Sequence, residues 1–189
     1  MAVELVVIGT SLGGFSALEI LLGGLSCEFP VPIAIVQHRL AGGDDQLSLV
    51  LQVRSALPVS EPDDKDPIEP GHVYMAPADY HLLVDRGSFA LSTEQRVCHA
   101  RPSIDVLFES AAHAYGAGLI GVILTGANRD GAEGLARVKE HGGFAIVESP
   151  ATAESRIMPE AALAATQVDR ILPISAIAMF LERHCAVKG

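Results

Sequence analysis

Two hydropathy patterns alternate along most of this chain: short runs of consecutive apolar residues, and longer stretches with apolar positions every three or four residues. "VELVVIG" (3–9) is an apolar, β-branched run ending in glycine, which predicts a strand buried on both faces. In "FSALEILLGG", Phe15, Leu18 and Leu22 stand at helical spacing, and the closing glycine pair suits a helix C-terminus. "VPIAIVQH" (31–38) predicts a second strand, "DDQLSLVLQVRS" a helix, and the Pro- and Asp-rich "EPDDKDPIEPGH" a loop. "HVYMAP", "HLLVD" and "SFALST" predict three short strands close together, a hairpin or meander between about residues 70 and 93. "SIDVLFESAAHAYG" sets Ile104, Leu107, Phe108, Ala111, Ala112 and Tyr115 on one helical face. "GLIGVILTG" is a buried strand, "DGAEGLARVKEHGG" a helix over 131–141, and "FAIVES" a strand. "MPEAALAAT" and "PISAIAMFLERH" are helices with proline near each start.

Strand–loop–helix units at both ends predict an α/β fold: a doubly wound, mostly parallel sheet with helices on both faces and a small antiparallel hairpin region. No repeat, low-complexity tract or linker interrupts the pattern, so residues 1–189 read as a single domain. Charge narrows the partners. Thirteen basic residues against 23 acidic give a net charge of −10, which repels phosphate backbones and anionic lipid and makes nucleic acid and membrane surfaces poor partners. No apolar run approaches the ~20 residues of a membrane span, and the start carries Glu4 without a basic segment, so no membrane insertion is expected. Cys27, Cys98 and Cys185 are widely spaced and odd in number, which fits reduced thiols in a cytoplasmic protein.

In an open parallel sheet, ligands bind beyond the carboxyl ends of the strands. Three loops leave such ends with reactive side chains: Ser11 after 3–9, His38 after 31–37, and Asp130 in "TGANRDG" after 118–125. A hydroxyl, an imidazole and a carboxylate at one sheet edge meet the needs of a Ser–His–Asp hydrolase. Gly9-Thr10-Ser11-Leu12-Gly13 also fits G-x-S-x-G, a sharp strand-to-helix turn that exposes the serine. It puts the Leu12 N–H at a helix N-terminus, able to stabilise an oxyanion. Each residue has a plainer reading. "GTSLGG" is a phosphate loop in outline, with Arg39 placed to meet a 2′-phosphate, yet G-x-G-x-x-G is not matched and no Tyr-x-x-x-Lys pair exists. His38 alone reads as a structural strand-end histidine, and Asp130 as the N-cap of helix 131–141. His72 and His81 lack a cysteine or acidic cluster to complete a metal site, and hydrolysis by a serine triad calls for no metal or organic cofactor.

Taken together, "VVIGTSLGGFSAL", "AIVQH", "VYMAPADYHLLV", "RPSIDVLFESAA", "GVILTGANRDGAEGL" and "MPEAAL" resemble, in order, the catalytic domain of CheB-type chemoreceptor protein-glutamate methylesterases. The resemblance covers almost the whole chain. It implies a doubly wound domain with a Ser11–His38–Asp130 triad that hydrolyses γ-glutamyl methyl esters on the cytoplasmic helical region of methyl-accepting receptors, some members also deamidating glutamines. On that basis the Leu12 and Ala127 N–H groups are the expected oxyanion donors. Arg39 and Arg101 are the expected substrate contacts, and with Arg129 the cations that would offset repulsion from an acidic receptor. Leu12 departs from the family's Thr or Ala, "QHRL" from its "QHMP", and Ala127 and Asn128 from the Met and Gly of its "LTGMGxDG". Family members usually carry a receiver domain; here the sequence begins on the first catalytic strand, as in a stand-alone enzyme or an excised fragment. Two other readings stay open: an inactive binding module of a signalling assembly, and a small-molecule esterase. Asp130→Asn is expected to cut turnover with little change in thermal stability.

Overall fold

The computed structural model describes residues 2–38 and 46–186. Seven parallel strands form the main sheet: β1 (Leu5–Thr10), β2 (Ile33–Gln37), β3 (Val59–Ser60), β4 (Val73–Met75), β7 (Leu119–Ile123), β8 (Phe144–Glu148) and β9 (Arg170–Leu172), in the order β3-β4-β2-β1-β7-β8-β9. β5 (His81–Asp85) and β6 (Ser88–Ser92) form a separate antiparallel hairpin. The helices are α1 (Gly14–Gly23), α2 (Leu47–Gln52), α3 (Ile104–Tyr115), α4 (Ala132–Glu140), α5 (Ile157–Ala165) and α6 (Ile174–Cys185).

Alternate strand residues feed two cores. Val6 and Ile8 of β1, with Ile33 and Ile35 of β2, pack toward Leu18, Leu21 and Leu22 of α1 and Ile177 and Leu181 of α6. Leu5, Val7, Ala34 and Val36 face the other way, onto Leu107, Phe108 and Ala111 of α3 and Leu135 and Val138 of α4. Consecutive apolar residues in the central strands are thus a consequence of burial on both sides. The hairpin adds Leu82, Val84 and Phe89 to this second core.

The sequence misplaces one strand and misses two. β4 pairs in parallel with β2, Ile33 opposite Val73, so "HVYMAP" belongs to the main sheet and only β5 and β6 form the antiparallel patch. β3 and β9, two and three residues long, close the sheet edges.

From β1 the chain builds outward through β2 to the edge strand β3, places β4 between β3 and β2, then returns to lay β7 on the other side of β1. Here the helices change face: α1, following β1, packs in one core, and α4, following β7, in the other. Loops leaving adjacent strands for opposite faces open a crevice at the carboxyl edge, the ligand position of a doubly wound sheet.

Candidate active site

Thr10 and Gln37 end their strands side by side. The turn after β1 is shaped by Gly13, whose φ of 77° is left-handed, while the Gly14 N–H donates to the Ser11 carbonyl. A side chain at Gly13 would be strained and would meet Glu154. Thr125 anchors this turn. Its carbonyl accepts from the Ser11 N–H (3.0 Å) and Thr10 Oγ1 (2.8 Å), and its own hydroxyl donates to the Leu12 carbonyl (2.9 Å). Gln37 Nε2 donates to the carbonyls of Ser11 and His38, both at 2.9 Å, tying the two loops together. Ser11 is left half-buried, and among the described residues its hydroxyl makes no hydrogen bond. The Leu12 N–H, beside the N-terminus of α1, likewise has no acceptor there.

Asp130 is fully buried. Its Oδ2 accepts from His38 Nε2 (2.7 Å) and the Ile104 N–H (2.8 Å), and its Oδ1 from Ser103 Oγ (2.8 Å) and the Asp105 N–H (3.0 Å). The carboxylate therefore caps α3, not the helix that follows it. Asp105, in the first turn of α3, returns the arrangement: its Oδ1 accepts from the N–H groups of Gly131 (2.9 Å) and Gly134 (2.7 Å) at the start of α4. α3 takes its capping carboxylate from the loop leading into α4, and α4 takes its own from the first turn of α3, because two adjacent N-termini offer unpaired N–H groups and positive dipole ends. Burial works to raise the Asp130 carboxyl, but the bond from His38 and the N–H groups of Ile104 and Asp105 outweigh it, and its pKa is lowered. The Asp105 carboxyl is pushed up to about 6, by burial first and the adjacent Asp130 charge second.

The second ring nitrogen of His38, Nδ1, lies 3.0 Å from Asn128 Nδ2. His38, Ser11, Leu12, Gln37 and Asn128 line an open cleft of about 800 Å³, with Arg96, Cys98, Arg101 and Glu154 on its walls. Arg101 is also tied to its own loop through the carbonyls of Thr93 (2.7 Å) and Glu94 (3.0 Å). Arg129 is not a lining residue; it faces solvent near Glu133, and Arg96 supplies a cation in the cleft instead. Ala127 is exposed, and its loop contributes Asn128 to the lining. Arg39 lies outside the described residues. His81 is structural: its Nδ1 accepts from the Ser103 N–H and its Nε2 donates to the Gln95 carbonyl. Cys98, Asp105 and Asp130 place three possible metal ligands within 4.8 Å of one another. The Asp130 oxygens and Asp105 Oδ1 are already engaged by hydrogen-bond donors.

Fold and crevice define a class: a doubly wound α/β protein whose carboxyl edge brings a serine at a tight turn beside a histidine–aspartate pair. The chain belongs to the CheB methylesterase family, whose model matches residues 6–181. A relative from Leptospira interrogans (strain Fiocruz L1-130) is 46% identical over 179 residues, 94% of this chain and 93% of that protein. The "Protein-glutamate methylesterase/protein-glutamine glutaminase 2" of Anaeromyxobacter dehalogenans (strain 2CP-C) is 45% identical over 93% of this chain, which spans 51% of that longer protein. Among solved structures, the Thermotoga maritima CheB methylesterase catalytic domain superposes with a TM-score of 0.91 at 35% identity, covering 97% of this chain and 99% of that one.

Among the described residues, no helix is long and apolar enough to cross a membrane. Sequence reading does not find Asn128, Ser103, Asp105 or Thr125 as parts of the site. Asn128 leaves a signal as a departure from the family pattern, and Ser103, Asp105 and Thr125 stand in stretches that match it.

Proposed function

We propose that this chain is a serine hydrolase that removes methyl esters from glutamate side chains on the cytoplasmic helical region of methyl-accepting chemoreceptors, and that the same site deamidates receptor glutamines. We place it in the cytoplasm and take residues 1–189 as one catalytic domain. The observation that carries the reading is that His38, held at 2.7 Å by the buried Asp130, lines the same cleft as Ser11. Relatives that share most of this chain's length are named for both reactions.

In this mechanism Ser11 Oγ attacks the ester carbonyl carbon and its proton passes to His38 Nδ1. The imidazolium that forms is stabilised by Asp130, which stays ionised because backbone N–H groups and the α3 dipole already favour its charge. The Leu12 N–H binds the oxyanion; such a donor is worth about 3–4 kcal/mol where it has been removed. The C–O bond then breaks and the proton leaves with methanol. Water, deprotonated by His38, hydrolyses the glutamyl-Ser11 ester, releasing glutamate and restoring the serine. With a glutamine substrate ammonia leaves instead.

The test is methanol release from a methylated receptor fragment. Ser11→Ala should lower the rate by about 10³-fold or more, with thermal stability shifted by no more than about 0.5 kcal/mol because its hydroxyl holds no partner in the described structure. A folded Ser11→Ala protein that hydrolyses at the wild-type rate sinks the assignment. Turnover of p-nitrophenyl acetate without turnover of the receptor would favour a small-molecule esterase.

A further inference from the structure

We propose that Asn128 is a latch on the general base: in the resting protein it occupies the His38 nitrogen that must receive the Ser11 proton, and it withdraws when substrate enters. This rests on the serine-hydrolase reading above and concerns a residue that the triad does not include.

Two hydrogen bonds fix the geometry. The Asp130 N–H donates to Asn128 Oδ1 at 3.0 Å, which orients the amide and leaves Nδ2 as the atom 3.0 Å from His38 Nδ1. An amide nitrogen only donates. Nδ1 is therefore the unprotonated, accepting nitrogen, and the ring proton sits on Nε2, directed at Asp130 2.7 Å away. Asn128 thus selects the tautomer that the mechanism requires. It also fills the lone pair that the mechanism uses, while the Ser11 hydroxyl makes no hydrogen bond among the described residues.

As the Ser11 Oγ–C bond forms, the Oγ–H proton needs the Nδ1 lone pair, so Asn128 Nδ2 must first let go. Once Nδ1 carries that proton, two donors face each other, and the amide stays away until the proton leaves with methanol. Asn128 lines the cleft, where a bound carbonyl group offers its Nδ2 another acceptor. The residue is a positioning residue: it touches the base and governs when the base is free.

Two variants separate a latch from a strut. Asn128→Ala removes both bonds. Asn128→Asp keeps the acceptor for the Asp130 N–H but sets a carboxylate oxygen against Nδ1, favouring the doubly protonated ring, which cannot act as a base. The readout is the labelling rate of Ser11 by a fluorophosphonate probe. Asn128→Ala should label about fivefold faster, the factor carried by one typical neutral hydrogen bond, and Asn128→Asp more slowly than wild type. If Asn128→Ala labels at or below the wild-type rate, or if Asn128→Asp matches or exceeds it, the latch is wrong. Nitrogen NMR of the unmutated protein reads the same bond directly. Expected are an unprotonated His38 Nδ1 and a coupling to Asn128 Nδ2 across the hydrogen bond; a protonated Nδ1 in the resting protein overturns the proposal. Ser11→Ala in the Asn128→Ala background should not label. Labelling there would overturn the serine assignment itself, whereas an unchanged Asn128→Ala rate overturns the latch alone.

Discussion

Four hydrogen bonds converge on the Asp130 carboxylate, and only one comes from His38. An asparagine there turns one acceptor into a donor facing buried donors. Asp130→Asn should therefore lower methanol release by about 10²–10⁴-fold and also destabilise the fold by about 2–3 kcal/mol, where the sequence alone predicts a small stability effect. The lowered pKa gives the pH dependence its sign. A carboxylate favoured in the folded state adds stability above its ordinary pKa of about 3.9, and that contribution disappears as pH falls through the lower folded value. The gap in melting temperature between wild type and Asp130→Asn should be widest near neutrality and narrow in acid. A variant as stable as wild type at pH 7 would show that the four bonds carry little. Ser11, His38 and Asp130 are legible in the sequence because each follows an apolar run at a strand's carboxyl end. Ser103 and Asp105 are not, because their roles depend on how two loops about 25 residues apart meet in space; nor is Asn128, whose partner His38 lies 90 residues away, and hydropathy carries no record of either meeting.

At the scale of elements, the long apolar runs and amphipathic helices are readable, and the sheet's short edges are not. "HVYMAP" looks like the hairpin strands that follow it; its partner is set by the crossover back to β2. Arg170 in β9 and Ser60 in β3 break the apolar pattern because edge strands bury less. The α3–α4 seam is equally hidden, and a glycine governs it. A Cβ on Gly134 would sit 2.7 Å from Phe108 Cβ and 3.0 Å from the Asp105 Cα, and the Gly134 N–H donates to Asp105 Oδ1 at 2.7 Å. Gly134→Ala improves helix propensity by up to about 1 kcal/mol, yet its Cβ would press on the α3 backbone at Asp105. A net loss of about 1–3 kcal/mol is expected, together with slower methanol release, since the shift moves the N–H groups that hold Asp130. Thermal melts showing a more stable variant would mean that α4 can slide along α3 without cost.

For the whole molecule, the net charge of −10 sets the conditions of encounter. A glutamate-rich fragment of the receptor proposed as substrate would meet a like-charged protein, with Arg96 and Arg101 in the cleft partly neutralised by Asp79. Salt screens the long-range repulsion more than contacts at the cleft itself, so kcat/KM should rise about twofold between 50 and 200 mM salt. A steep fall over that range would show that the two arginines dominate the approach. The crosswise capping of α3 by Asp130 and of α4 by Asp105 has a consequence for descent. A lineage that abandoned hydrolysis would still need both carboxylates to keep two helices in place, so selection for folding alone would preserve most of the apparent machinery. Asp130 in a distant descendant is then no witness to turnover. The informative position is Ser11, whose hydroxyl supports nothing in the described structure and is free to drift once chemistry no longer holds it.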